Sequence, residues 1–167
     1  LFEDPYGERY AHCKMHPQEG VQLSKEISDE SVVLLKNENG LLPLNAEKLR
    51  SVAVIGPNAD QVQFGDYTWS RNNKDGVTPL AGIRQLLGDK VTVRYEKGCS
   101  LVSLDTSGIK KAVEVARQSE VAIVFCGSAS AALARDYKSS TCGEGFDLND
   151  LNLTGAQSQL IKEVYET

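Results

Sequence analysis

Apolar positions along the chain change their rhythm near residue 50. Between Gln18 and Lys36 the residues Val21, Ile27, Val32 and Leu35 can share one broad helical face, with Leu34 beside them. Asn37-Glu38-Asn39-Gly40 predicts a stop, with Gly40 as the C-terminal signal. Leu41-Leu42-Pro43-Leu44 follows as an apolar connector, and Pro43 argues against further helix. Then short apolar runs begin. Ser51–Ile55 predicts a buried strand ended by Gly56-Pro57-Asn58, Val91–Tyr95 a second strand, and Val121–Cys126 a third, fully buried one. Between them lie helical patterns. One starts at the cap Thr78, with Pro79 where proline is tolerated, and runs to about Leu87. Another covers Thr106–Gln118, with Ile109, Ala112, Val113 and Ala116 on one side. A last one covers Thr154 to about Glu166, with Gln157, Leu160, Ile161 and Val164 inward. Strands alternating with helices predict an α/β fold: an open, mainly parallel sheet flanked by helices.

Two connections exceed what this plan needs. Gly56–Val77 spans 22 residues and Gly127–Leu153 spans 27. Loops beyond about 12–15 residues inside a compact domain are usually functional or disordered. Both leave the C-terminal ends of strands, the edge where open α/β sheets bind ligands.

Composition narrows the function classes. The chain has 167 residues, 41% hydrophobic and 25% charged, with a formal net charge of −5. That is an ordinary globular composition, too short for an eight-fold βα barrel of about 250 residues. A mildly acidic chain without a basic block lacks the phosphate-neutralising surface that nucleic acid needs. The longest apolar run is six residues, Val121–Cys126, against about 20 for a membrane span. No signal peptide or initiator Met opens the sequence, and the last helix has no strand after it. Both features read as a section of a longer chain, with the α/β domain incomplete at its C-terminus. Cys13, Cys99, Cys126 and Cys142 are too scattered for a disulfide scaffold or a zinc site, so the redox compartment stays open.

Candidate chemistry is sparse. His12 and His16 are spaced i, i+4 near Glu19, but Pro17 interrupts them and the ligand set is short, so no metal is expected. No cofactor is expected either: neither GxGxxG nor GxxxxGK[ST] occurs. There is no GxSxG, and Cys142 has no histidine near it in sequence, which favours an inert thiol. The second long loop is richer. Glu144 stands between Gly143 and Gly145, which permit unusual backbone angles and close approach of a ligand. A carboxyl so presented can serve as a general acid; the bland alternative is a solvated loop glutamate.

Several segments, in order, resemble glycoside hydrolase family 3, which includes many β-glucosidases and β-xylosidases. They are Ser31–Asn37, Gly40-Leu41-Leu42-Pro43-Leu44, Val52–Ala59, Thr78–Ile83, Tyr95–Cys99, Gly143-Glu144-Gly145-Phe146-Asp147 and Leu153–Gln157, with Leu160-Ile161. The resemblance implies a linker and leading helix over residues 1–45, then an α/β sandwich domain over 46–167, both following an N-terminal barrel domain. It implies a retaining β-glycosidase acting on terminal β-D-glycosides, of β-glucosidase type. Glu144 matches the family's acid/base, whereas the nucleophilic aspartate belongs to the barrel. Asp147 matches the motif's aspartate; Leu148 stands where arginine often follows, so an ion pair to such a residue is not expected. Tyr67, Trp69 and Phe146 are candidates to stack on sugar rings, with core packing the competing role for Trp69 and the favoured one for Phe146, and with Asp147 they make up the expected substrate-binding set. The implied partners are a β-linked glucoside or oligosaccharide and the barrel of the same enzyme, with no nucleic acid and no membrane. The compartment stays open; a soluble protein is expected, and a periplasmic or secreted one would have its leader outside this segment. The isolated segment, with one carboxylate of the pair, is expected to be inactive. A non-catalytic carbohydrate- or small-molecule-binding module and a nucleotide-binding regulatory domain are the competing readings.

Overall fold

The computed structural model describes residues 3, 7, 17–68, 76–130 and 138–167. The chain forms two compact units, Leu1–Pro43 and Leu44–Thr167.

In the first unit, helix α1 covers Pro17–Ser31. A proline at the first helical position gives up an N–H that would be unpaired in any case. The helix stops five residues short of the predicted Lys36. Val32 and Val33 are β-branched, and both are exposed together with Leu34 and Leu35, so burial does not offset their weak helix propensity. Val21 and Ile27 are exposed too, so the predicted apolar face is not a packed one in this unit. A short 3₁₀ turn at Glu38–Gly40 follows, with Gly40 at φ +62°. The Asn37 side chain closes it, accepting from Leu42 N–H (2.9 Å) and donating to Leu42 C=O (2.8 Å). His12, Cys13 and His16 lie outside the described residues.

The second unit is built on strand β1 (Ser51–Ile55), flanked by β2 (Thr92–Glu96) and β3 (Val121–Val124) in the order β2-β1-β3. All pairs are parallel, with Val52 opposite Val93 on one side and Val121 on the other. Helix α2 (Pro79–Leu87) joins β1 to β2, and α3 (Ile109–Arg117) joins β2 to β3. Helix α4 (Gln157–Tyr165) follows the second long loop. Alternate residues of β1 serve opposite faces, as pleating requires. Val52 and Val54 pack with Leu80, Ile83 and Leu87 of α2, whereas Ala53 and Ile55 pack with Ile109 and Ala112 of α3 and Leu160 and Val164 of α4. Each fully buried Val, Leu or Ile among them contributes about 1.5–3 kcal/mol relative to exposure.

Strand β3 departs from its expectation. It ends at Val124, and Ala122 is exposed; among the described residues only β1 has a strand on each side, and β3 has a partner on one side alone. Helix α2 begins as predicted, with Thr78 Oγ1 accepting from Ala81 N–H at 3.1 Å. Helices α3 and α4 start three residues late. Thr106–Gly108 close a turn instead, and Thr154 turns its hydroxyl to Leu101 C=O (2.6 Å). The loop after β2 must come close to α4: Gly98 has φ +72°, and a Cβ there would lie 2.7 Å from Leu160 Cδ1.

Gln157, read from the sequence as an inward position, is fully buried yet polar. Its Oε1 accepts from Gly127 N–H (2.8 Å), and its Nε2 donates to Gly127 C=O (3.0 Å) and Thr154 C=O (3.1 Å). The side-chain amide thus meets Gly127 as a neighbouring peptide would, tying the root of the second long loop to α4. Gln157→Leu keeps the shape but orphans these groups, at about 1–3 kcal/mol for each one left unpaired. We expect a loss near ~3 kcal/mol by urea unfolding; a change below ~0.5 kcal/mol would show that the amide network is dispensable.

Candidate active site

Parallel strands deliver both long loops to the same sheet edge. The loop after β1 is anchored at its root. Asn58 N–H donates to Phe125 C=O at 3.2 Å, Leu80 N–H to Ala59 C=O at 2.8 Å, and Thr78 Oγ1 to Asp60 at 2.9 Å.

The loop after β3 is pinched shut close to the sheet. Thr141 N–H donates to Ala129 C=O (2.8 Å), and buried Thr141 Oγ1 accepts from Ala129 N–H (2.9 Å). Ser130 and Cys142 form a parallel bridge beside them. The two arms of a long loop are thereby held together, and residues 143–146 emerge from the clamp.

Those four residues form a tight turn. Gly143 N–H donates to Phe146 C=O (3.0 Å), and Phe146 N–H to Gly143 C=O (3.2 Å). Gly145 sits at φ +88°, the value a type II turn demands at its third residue and one that favours glycine. No atom stands within 4 Å of where a Cβ on Gly145 would be, so conformation and not crowding selects glycine there. Glu144 takes the second position, exposed at the tip. The geometry presents its carboxyl outward on a short, backbone-closed support.

Two residues of the first loop meet this turn. The Tyr67 phenol lies beside the Glu144 carboxylate. Interaction with that carboxylate, slight burial and the charge of Asp66 all push the phenol above its ordinary value. Asp66 lies half-buried next to it. Its Oδ2 accepts from Glu144 N–H at 2.6 Å, and its Oδ1 accepts from the Ser130 hydroxyl. Nothing in the local sequence singles out Asp66 and Ser130. The one available signal is that Asp66 adjoins Tyr67 in an overlong loop, while its partner Glu144 is 78 residues away.

The predicted site residues therefore separate. Glu144 and Tyr67 are brought together. Tyr67 is 79% exposed and lies beside the Glu144 carboxylate. Phe146 is half-buried and closes the turn through its backbone. Asp147 lines a separate cavity of about 400 Å³ with Ser140, Asn149, Asp150 and Asn152, of which Glu144 is not a lining residue. Trp69 lies outside the described residues. Cys126, at the end of the β3 run, is a buried-side thiol pushed up to about 11, first by burial and then by neighbouring Cys99. At that value it is no nucleophile near neutral pH.

Known proteins share this arrangement of elements. A β-xylosidase from Formosa agariphila is 33% identical over 152 residues, covering 87% of this chain and 20% of that protein. A periplasmic β-glucosidase from Salmonella typhimurium is 30% identical over 191 residues, covering 95% of this chain and 23% of the relative. The chain thus spans about a fifth of the length of these relatives. Among solved structures, a family 3 exo-β-xylosidase in complex with a xylobiose aziridine activity-based probe superposes with a TM-score of 0.70 at 29% identity. That match covers 89% of this chain and 17% of the solved one. A β-glucosidase from Erythrobacter marinus superposes with a TM-score of 0.69 at 28% identity, covering 89% of this chain and 22% of the solved one. Residues 32–167 match the glycosyl hydrolase family 3 C-terminal domain, and the chain belongs to that family.

Proposed function

We propose that this chain is the acid/base-bearing section of a retaining β-glycosidase that removes terminal β-D-glycosyl groups. The reading is carried by one observation: a glycine-flanked turn at the ligand-binding edge of a parallel sheet holds Glu144 outward. Residues 1–45 serve as linker and leading helix, and 46–167 as the α/β sandwich domain. The nucleophilic aspartate comes from a barrel domain of the same enzyme, outside this sequence. The names of the relatives point to glucosides and xylosides alike. No described helix is long and apolar enough to cross a membrane. The relative named as periplasmic supports an exported enzyme.

In the first step the barrel aspartate attacks the anomeric carbon, and Glu144 gives its proton to the departing glycosidic oxygen. The carbon–oxygen bond breaks, leaving a glycosyl ester on the aspartate and a carboxylate on Glu144. In the second step that carboxylate takes a proton from water, whose oxygen displaces the aspartate. A retaining pair of carboxyls stands about 5–5.5 Å apart when the site is closed. Charge grows on Glu144 as it gives up its proton, and the neighbouring Tyr67 phenol is proposed to donate a hydrogen bond to it there. Phe146 and Trp69 are proposed to offer apolar faces to the sugar, and Asp147 to bind a hydroxyl near it.

Glu144→Gly in the full-length enzyme is expected to lower kcat/KM on an unactivated phenyl β-glycoside by about 10²–10⁴-fold, the usual range for a general acid. It should spare a dinitrophenyl glycoside, whose leaving group needs no proton. Azide should then restore turnover and yield a β-glycosyl azide. Wild-type rates on phenyl glucoside and phenyl xyloside would sink the assignment.

Tyr67→Phe is expected to lower kcat/KM on the phenyl glycoside by about fivefold, the worth of one ordinary hydrogen bond. Equal losses on phenyl and dinitrophenyl substrates would place Tyr67 in sugar binding instead. The purified 167-residue chain should not hydrolyse aryl β-glycosides at all; turnover by rigorously pure material would refute the division of roles.

A further inference from the structure

A general acid must be held in place, and the Glu144 turn carries little means of holding itself. Its two flanking glycines supply no side-chain packing, and Gly145 has open space where a Cβ would stand. In a turn of this type the N–H of the second residue points away from the turn's own hydrogen bonds. Here that N–H belongs to Glu144, and it is taken by Asp66 at 2.6 Å.

The same carboxylate reaches a second point. Its other oxygen accepts from the Ser130 hydroxyl, and Ser130 is bridged to Cys142, the residue just before the turn. Asp66 therefore grips the outgoing arm of the second loop at Ser130 and its returning arm at Glu144. The loop that supplies Asp66 is itself fixed by Asn58, Ala59 and Asp60 to the sheet edge and to the start of α2. A carboxylate accepting from a peptide N–H makes one of the stronger classes of hydrogen bond, and Asp66 is half-buried, which limits competition from water. Tyr67 is the next residue, so the element that clips the Glu144 backbone also brings a phenol beside its carboxyl group.

We propose that Asp66 is a positioning residue: its two oxygens clamp the Glu144 backbone and Ser130, fixing the acid/base turn against the loop after β1. The proposal rests on Glu144 being the acid/base. Asp66 does not touch the substrate; it acts through the orientation of Glu144.

The test uses the full-length enzyme and compares phenyl with dinitrophenyl β-glycosides. Asp66→Ala should lower kcat/KM on the phenyl substrate by about tenfold or more, because a misplaced acid gives its proton poorly. On the dinitrophenyl substrate the loss should stay under about threefold. Asp66→Asn retains an acceptor for Glu144 N–H and an amide donor for Ser130, so it should recover most of the lost rate. Azide should not rescue Asp66→Ala, since the Glu144 carboxylate still repels the anion.

Glu144→Gly, run in parallel, separates the two ideas. If it shows no leaving-group dependence and no azide product, the acid/base reading fails. If it behaves as an acid/base variant while Asp66→Ala matches wild type on both substrates, the positioning role alone is overturned. Equal losses on both substrates, or an Asn variant as impaired as the Ala variant, would also overturn it. Should Asp66→Ala fail to fold, Ser130→Ala removes one of the two bonds. It should show a smaller loss confined to the phenyl substrate, and wild-type behaviour there would count against the clamp.

Discussion

Strand β1 has to be covered on both faces, and the rest of the second unit follows from that constraint. Val52 and Val54 point one way, Ala53 and Ile55 the other, and all four are essentially inaccessible to water. A strand with two apolar faces needs helices on both sides, which α2 provides on one and α3 with α4 on the other. Parallel neighbours come with that solution, since each strand returns to the same end through a helix. Every strand then releases its following loop at the same edge. The meeting of the two long loops is thus a consequence of how a central apolar strand is buried.

A shared edge brings loops near each other without fixing their details. Polar contacts do that here. Gln157, with no exposed surface, holds the backbone of Gly127 where the second loop begins. Thr141 and Ala129 then close the loop on itself. Burying such groups is unfavourable unless each finds a partner, so these contacts also enforce one arrangement over its competitors. Glycine enters where the backbone needs it: at 98, where α4 comes too close for a side chain, and at 145, where the turn bends through a positive φ.

The proposed chemistry depends on this layering. A carboxyl at the tip of a four-residue turn is exposed enough to reach a bound sugar and supported enough to be aimed. Asp66 supports the peptide behind the carboxyl group, and Tyr67 lies beside the carboxyl itself. In the proposed reaction a second carboxylate is supplied by another domain.

Strand–helix alternation, the Thr78 cap with Pro79, the inward face of α3, the inward face of α4 except for Ile161, which is exposed, and the glycine-flanked Glu144 were legible in the residues themselves. Those features arise from local periodicity, capping chemistry and backbone freedom, which act within a few positions. The resemblance to family 3 rested on an ordered set of such short segments. Other features were decided only when distant parts of the chain met. Whether the 121–126 run is central or at an edge depends on strand order, not on its own apolarity. Whether Val32–Leu35 continue a helix depends on what covers them. Gln157 reads as one more inward position until its partners at 101, 127 and 154 surround it. Asp66 and Ser130 acquire meaning only through contacts across 64 and 78 residues of chain, because a hydrogen bond depends on distance in space and leaves no periodic trace in sequence.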